Sequence, residues 1–238
     1  MTLQAVIIDL FHTLADPEEF RPAEFRRVEQ AAALLGADRA GFAAYWAETA
    51  ATRNRQREPS ARGWLGEYLR RVGRAAEPAA LAAVEDALGR YQDLAIGQPV
   101  PGATAALLAL RRRGLRLALL SNAEARETQA WPRSPLAPLF DAVCFSCDIG
   151  AVKPEPAAYA AALTALGSVA PAAAVFVGDG GGGELRGARE AGFGMVVCVQ
   201  GCVTRHGLRS PAQQAALAAN ADVVIDAVAE LPALLTGA

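Results

Sequence analysis

The spacing of apolar residues changes character twice along the chain. Ala5 to Asp9 is a short unbroken apolar run ending in an acid, the pattern of a strand buried on both faces. From Asp16 to Gly97 the apolar positions recur at helical intervals, as in Phe25, Val28, Ala32 and Leu35 and then Phe42, Tyr45 and Trp46, with Arg and Glu on the other faces. That stretch holds no convincing strand and predicts an all-helical insert of about four helices.

After Pro99-Val100-Pro101-Gly102 the pattern alternates. Helices are predicted over 103–113, 157–166 and 184–191, and strands over 116–120, 142–145, 174–178, 194–199 and 223–225, with a closing helix. Alternation with near-continuous apolar strands specifies a parallel sheet with helices on both faces. The expected architecture is α/β: a Rossmann-like core from residues 1–15 and 98–238, and a small all-helical domain from 16–97.

Composition narrows the classes of partner. With 238 residues, 53% of them hydrophobic, the chain can bury one substantial core and carry a smaller module. A net charge of -2, from 23 basic and 25 acidic residues, gives no chain-wide attraction to nucleic acid or anionic lipid. The run Arg111-Arg112-Arg113 precedes Gly114, where a helix C-terminus favours cations. Met1 to Ile8 lacks the basic region of a secretory signal, and Arg, Gly or Pro breaks every later apolar run before it reaches membrane-spanning length, so a cytoplasmic protein without a membrane anchor is expected. No feature of the chain specifies an oligomeric state.

Cys144 and Cys147 form a CxxC and Cys198 and Cys202 a CxxxC. With the first strand central and its partners on either side, the two pairs lie about 19 Å apart across four strand spacings, too far for one tetrahedral zinc. They are expected to be buried small hydrophobes.

In an open α/β sheet, ligands gather beyond the carboxyl ends of the strands, so the residues after each apolar run carry the chemistry. These are Asp9, then Ser121-Asn122, then Gly178-Asp179 followed by Gly180 to Gly183 and Glu184, with Lys153 opening the loop before a helix. Individually each has an ordinary explanation, since a strand-terminal Asp can cap a helix and a lone Lys is usually solvated. Together they supply a carboxylate nucleophile, a hydroxyl and amide pair, one cation, and two further acids able to hold a hard metal ion.

That order resembles the haloacid dehalogenase-like hydrolase superfamily: Asp9-Leu10-Phe11-His12-Thr13-Leu14, then Ser121-Asn122, then Lys153 in Lys-Pro-Glu-Pro, then Gly178-Asp179 with Glu184. The resemblance spans nearly the whole chain and makes the insert a cap. It implies Mg2+ held by Asp9, Asp179 and the carbonyl of Phe11, with Glu184 as a further or water-mediated ligand. It also implies that Lys153 and Ser121 steady the nucleophile and phosphoryl oxygens, that Asn122 joins Ser121 as a donor, and that Thr13 supports the loop and the phosphoryl group. The substrate would be a small phosphorylated metabolite.

One residue departs from the pattern. Family phosphatases usually carry a second Asp where this chain has Phe11, to protonate the leaving oxygen and then activate water. Phe can do neither, and a lost general acid/base typically slows turnover about 10²- to 10⁴-fold. His12 is the nearest substitute, although strand alternation directs it away from Asp9; His206 reads as an ordinary loop residue.

Two other readings compete with the phosphohydrolase. An aromatic residue at position 11 is similar to the Tyr of family dehalogenases, which displace halide through an aspartyl ester and use a cap Arg, here Arg39 before Arg26 or Arg27. The other is a catalytically weak binding protein on the same fold. Phosphonate cleavage through a cap lysine is excluded, because Lys153 is the only lysine. Trp46, Arg53, Arg55, Arg57, Trp64 and Tyr68 are candidates for a mouth over Asp9, with core and solvated positions as their ordinary fates.

Overall fold

A computed structural model describes residues 2–237 of the chain. Six strands, β1 (Ala5–Ile8), β2 (Arg116–Ser121), β3 (Ala142–Phe145), β4 (Ala174–Gly178), β5 (Met195–Val199) and β6 (Val223–Ile225), form one sheet in the order β3-β2-β1-β4-β5-β6. All neighbouring pairs are parallel. Ile8 is in register with Leu119 of β2 and Val177 of β4, so the carboxyl ends of the three central strands lie level. From β1 the chain steps outward on one side to β2 and β3 and then crosses to β4 on the other side of β1, and a crevice opens at such a switch point.

Between β1 and β2 lie four helices, α1 (Arg27–Leu35), α2 (Arg39–Arg53), α3 (Ala61–Arg71) and α4 (Pro78–Gly97). They bury a hydrophobic cluster of their own that includes Phe42, Tyr45, Trp46, Trp64, Tyr68 and Leu88. The aromatic residues considered for a mouth over Asp9 are therefore core, with Phe42 stacked on Trp46 and edge-on to Tyr68. Phe25 lies before α1 rather than within it and packs against Tyr91 instead, at 5.2 Å between ring centroids.

Helices α5 (Ala103–Arg112), α6 (Ser146–Ile149), α7 (Pro156–Ala165), α8 (Glu184–Glu190), α9 (Gly201–Arg205), α10 (Pro211–Ala218) and α11 (Leu231–Leu234) complete the chain. Val6 and Ile8 of β1 join Leu107, Leu110 and Leu231 on one face of the sheet, whereas Ala5 and Ile7 join Tyr159, Phe176 and Leu185 on the other. Burial on both faces is why the inner strands β1, β2, β4 and β5 carry no polar alternation. Helices α6, α9 and α10 were not expected, and two of them carry one cysteine of each pair. Cys144 on β3 and Cys198 on β5 are separated by three strands, and all four thiols are buried and free, with burial raising each above its ordinary pKa. Among the described residues no helix is long and apolar enough to cross a membrane.

Candidate active site

Asp9 is the first residue past β1, and its amide N–H donates to the Val177 carbonyl at 2.9 Å, fixing the backbone at the sheet's edge. Beside it Lys153 reaches in from the loop before α7. Its ammonium donates to Asp9 Oδ1 at 2.5 Å and also to Glu184 Oε2. Asn122 holds that lysine in place from both sides of its amide: Nδ2 donates to the Lys153 carbonyl, and Oδ1 accepts the Lys153 N–H, each at 2.8 Å. The amide seen as a phosphoryl donor in the sequence is thus engaged chiefly with the backbone of the lysine.

Glu184 opens α8. Its Oε1 accepts the Gly180 N–H at 2.9 Å, and it lies so close to Gly178 that a Cβ there would overlap the carboxylate. Gly180, Gly182 and Gly183 all have positive φ, at 90°, 59° and 77°, which is why the connection from Asp179 to Glu184 is built of glycine. Asp179 Oδ1 accepts the Gly181 N–H at 3.0 Å. Its Oδ2 accepts from Arg209 Nη2 at 2.7 Å, while Arg209 Nη1 donates to the Asp179 carbonyl at 2.7 Å.

One carboxylate oxygen from each of Asp9, Asp179 and Glu184 lies within 4.8 Å of the others, and all three residues are buried. Burial raises Asp9 above the ordinary carboxylate range and the nearby Asp179 adds to this, against the pull of Lys153. Burial likewise pushes Glu184 up to about 8, with Lys153 opposing and Asp9 and Asp179 reinforcing it. For Lys153 burial acts downward, but Asp9 and Glu184 outweigh it and keep the ammonium charged well beyond its usual range. The donor chemistry, clustered carboxylate oxygens with no nitrogen or sulfur, suits a hard divalent cation such as Mg2+.

A pocket of about 190 Å³ opens on this cluster and is walled by Asp9, Phe11, His12, Ser121, Asn122, Lys153, Asp179, Gly181, Gly182, Glu184 and Arg209. Every residue of the four strand-end motifs offered as catalytic, substrate-binding or metal-binding is on that wall except Thr13, which is buried with a hydroxyl that finds no hydrogen-bond partner among the described residues. His12 was expected to point away. Alternation ends with β1 at Ile8, and His12 takes a left-handed φ of 60° with its Nε2 3.3 Å from Glu18.

Arg209 carried no motif and was not anticipated. The available signal was Ser210-Pro211 with Gln213, a capping box with Pro at the first helical position that starts α10 and leaves Arg209 in a loop beyond a strand end. The arginines that were considered lie elsewhere. Arg39 pairs with Glu29, Arg26 bonds the Ala23 and Phe25 carbonyls, and Arg27 bonds Glu127. Arg53 stacks on the Trp46 ring at 3.7 Å, while Arg55 and Arg57 pair with Glu155 and Asp148.

Known proteins resemble this chain in fold or in sequence. The structure resembles that of an L-2-haloacid dehalogenase from Xanthobacter autotrophicus, with a TM-score of 0.62, 25% identity and 99% of each chain covered. A phosphoserine phosphatase from Thermus thermophilus is 38% identical over 138 residues, which is 54% of this chain and 53% of the relative. A plasmid-borne phosphoglycolate phosphatase from Cupriavidus necator is 34% identical over 144 residues, 60% of this chain and 58% of the relative. The chain thus spans little more than half the length of these curated relatives. The family model of the haloacid dehalogenase-like hydrolases matches residues 3–192, so the chain belongs to that family of hydrolases.

Proposed function

We propose that this hydrolase is a Mg2+-dependent phosphohydrolase of a small phosphorylated metabolite, with Asp9 as the nucleophile and residues 16–97 as a cap. One observation carries the reading: three buried carboxylates converge, Asp9 and Glu184 on the charged Lys153 and Asp179 on Arg209, and among the described residues no side chain donates to Asp9 Oδ2. The two curated relatives with phosphatase names support the same chemistry.

Asp9, Asp179 and the Phe11 carbonyl would hold the cation, with Glu184 beside them, and the cation would offset the charge of a phosphoryl group that otherwise repels Asp9. Asp9 attacks phosphorus, the bond to the leaving oxygen breaks, and that oxygen takes a proton; water then releases phosphate from the aspartyl-phosphate. Lys153 fixes the attacking carboxylate and Asn122 fixes Lys153. Ser121, on the pocket wall, can donate to a phosphoryl oxygen. Phe11 supplies no proton, so the transfer falls to water or to His12, which shares the wall. The pocket volume fits a phosphoryl group and a few further atoms.

Phe11 also favours a second reading, a dehalogenase in which Asp9 displaces halide from carbon and no proton is required. Against it, neither Arg39, Arg26 nor Arg27 lines the pocket. Both readings are tested in one experiment. Release of p-nitrophenol from p-nitrophenyl phosphate with Mg2+, lost in Asp9→Asn, supports the phosphohydrolase. Chloride release from 2-chloropropionate without metal, and no phosphatase activity, would replace it with the dehalogenase.

A further inference from the structure

The Asp179 carboxylate already has a cation. Arg209 grips it with a fork, one arm on Oδ2 and the other on the carbonyl of the same residue, both at 2.7 Å. Gly181 leaves room for the fork, since a Cβ there would sit tightly against it, 3.3 Å from Arg209 Nη2 and 3.1 Å from Asp179 Oδ1. The backbone of Arg209 is independently anchored, because Gln214 Nε2 donates to its carbonyl at 3.1 Å and Ser210 caps α10 next to it. The loop can therefore stay where it is whether or not the side chain holds Asp179.

A guanidinium does not lose its proton in a protein, so it cannot give up a carboxylate by becoming neutral. It has to swing away, and with about a fifth of its side chain exposed, Arg209 has a path to solvent. We propose that Arg209 gates the metal site: it occupies the Asp179 oxygen that a divalent cation would take, so the ion binds only by displacing the guanidinium. This deepens the metal-dependent reading above and rests on it. Arg209 acts through Asp179 and is a positioning residue.

A guanidinium in contact with a carboxylate oxygen repels any second cation brought to that oxygen, and at such short range the Coulomb opposition is worth about tenfold or more in affinity. A divalent cation competing for the same oxygen faces the same opposition. Isothermal titration calorimetry of Mg2+ into the full chain, carried out on the wild type, Arg209→Gln and Asp179→Asn, is the test. Tighter binding to Arg209→Gln, by about tenfold or more, is expected, together with loss of binding in Asp179→Asn. The direction is diagnostic, because structural damage from losing Arg209 would weaken binding.

Unchanged or weaker binding in a folded Arg209→Gln, with Asp179→Asn still losing it, overturns the gate alone. Wild-type affinity in Asp179→Asn, or no binding by any of the three, removes the metal reading and the gate with it. If the glutamine variant does not fold, Arg209→Lys keeps the charge but not the fork: a smaller gain supports the gate, and no gain overturns it.

Discussion

Phe11 stands on the pocket wall at the position where the family resemblance implies an acid, and it also packs against the core cluster on one face of the sheet. If a proton carrier is all that the site lacks, Phe11→Asp raises p-nitrophenyl phosphate turnover by about tenfold or more. Unchanged turnover in a variant that melts like the wild type would show that pocket shape, rather than proton transfer, limits the reaction. His12 carries a different burden. A histidine at φ 60° sacrifices about 1 kcal/mol that glycine would not, so His12→Gly should raise stability by about that amount in a denaturant melt. A loss of stability would mean that the contact between His12 and Glu18 outweighs the backbone strain. Neither the left-handed turn nor the inward placement of His12 could be read from strand alternation, which holds only while the chain is extended.

At the scale of elements, what was legible followed from burial. The inner strands, covered on both faces, leave continuous apolar runs, and the edge strands β3 and β6 remain apolar although Val143 and Val224 are exposed, so all six were evident; polar residues at the ends of three runs marked the site: Asp9 after β1, Ser121 at the end of β2, Asp179 after β4. Lys153, Asn122 and Glu184 could be placed, but that Asn122 clamps the lysine backbone could not, because it depends on two loops meeting in space. Arg209 escaped for the same reason. The loop after β2 shows how far such meetings extend. Its Glu127 accepts from Arg27 of α1 at 2.6 Å and from Gln92 of α4 at 2.7 Å, joining two helices of the insert to the segment that follows Ser121-Asn122. Burial pushes the Glu127 carboxyl upward, but Arg27 and the hydrogen bonds outweigh it and hold it below its ordinary value of 4.5. A carboxyl with a depressed folded pKa stabilises the fold fully above its unfolded pKa and loses that contribution as pH falls through the folded one. Glu127→Gln should therefore lose about 3 kcal/mol near neutrality, with the gap to wild type closing as pH falls below about 4.5. A gap that stays constant from neutrality into acid would assign the loss to packing rather than to charge.

Over the whole molecule, the helical insert and the sheet are joined by arginine–carboxylate pairs of two kinds. Arg57 and Asp148 meet in a fork at 2.5 and 2.7 Å, but each is about two-fifths exposed. Arg126 is buried in the loop after β2; it forks onto Asp93 of α4 at 2.9 and 2.7 Å, and its Nε donates to the Glu85 carbonyl at 2.8 Å. Gly89 lies directly against that guanidinium, and any Cβ there would overlap it. The two pairs look alike in geometry and should differ in energy. An exposed pair contributes up to about 1 kcal/mol, whereas removing one partner of a buried pair costs about 3–5 kcal/mol by stranding the other. Arg57→Ala is accordingly expected to change the denaturant midpoint little, and about 1 M NaCl, where the screening length falls to about 3 Å, should erase the difference from wild type. Arg126→Ala should be destabilised more and respond less to the same salt, because the Arg126 guanidinium is buried against the Glu85 carbonyl even though Asp93 itself is partly exposed. Equal, salt-sensitive losses in both variants would mean that the junction between the insert and the sheet domain opens to solvent.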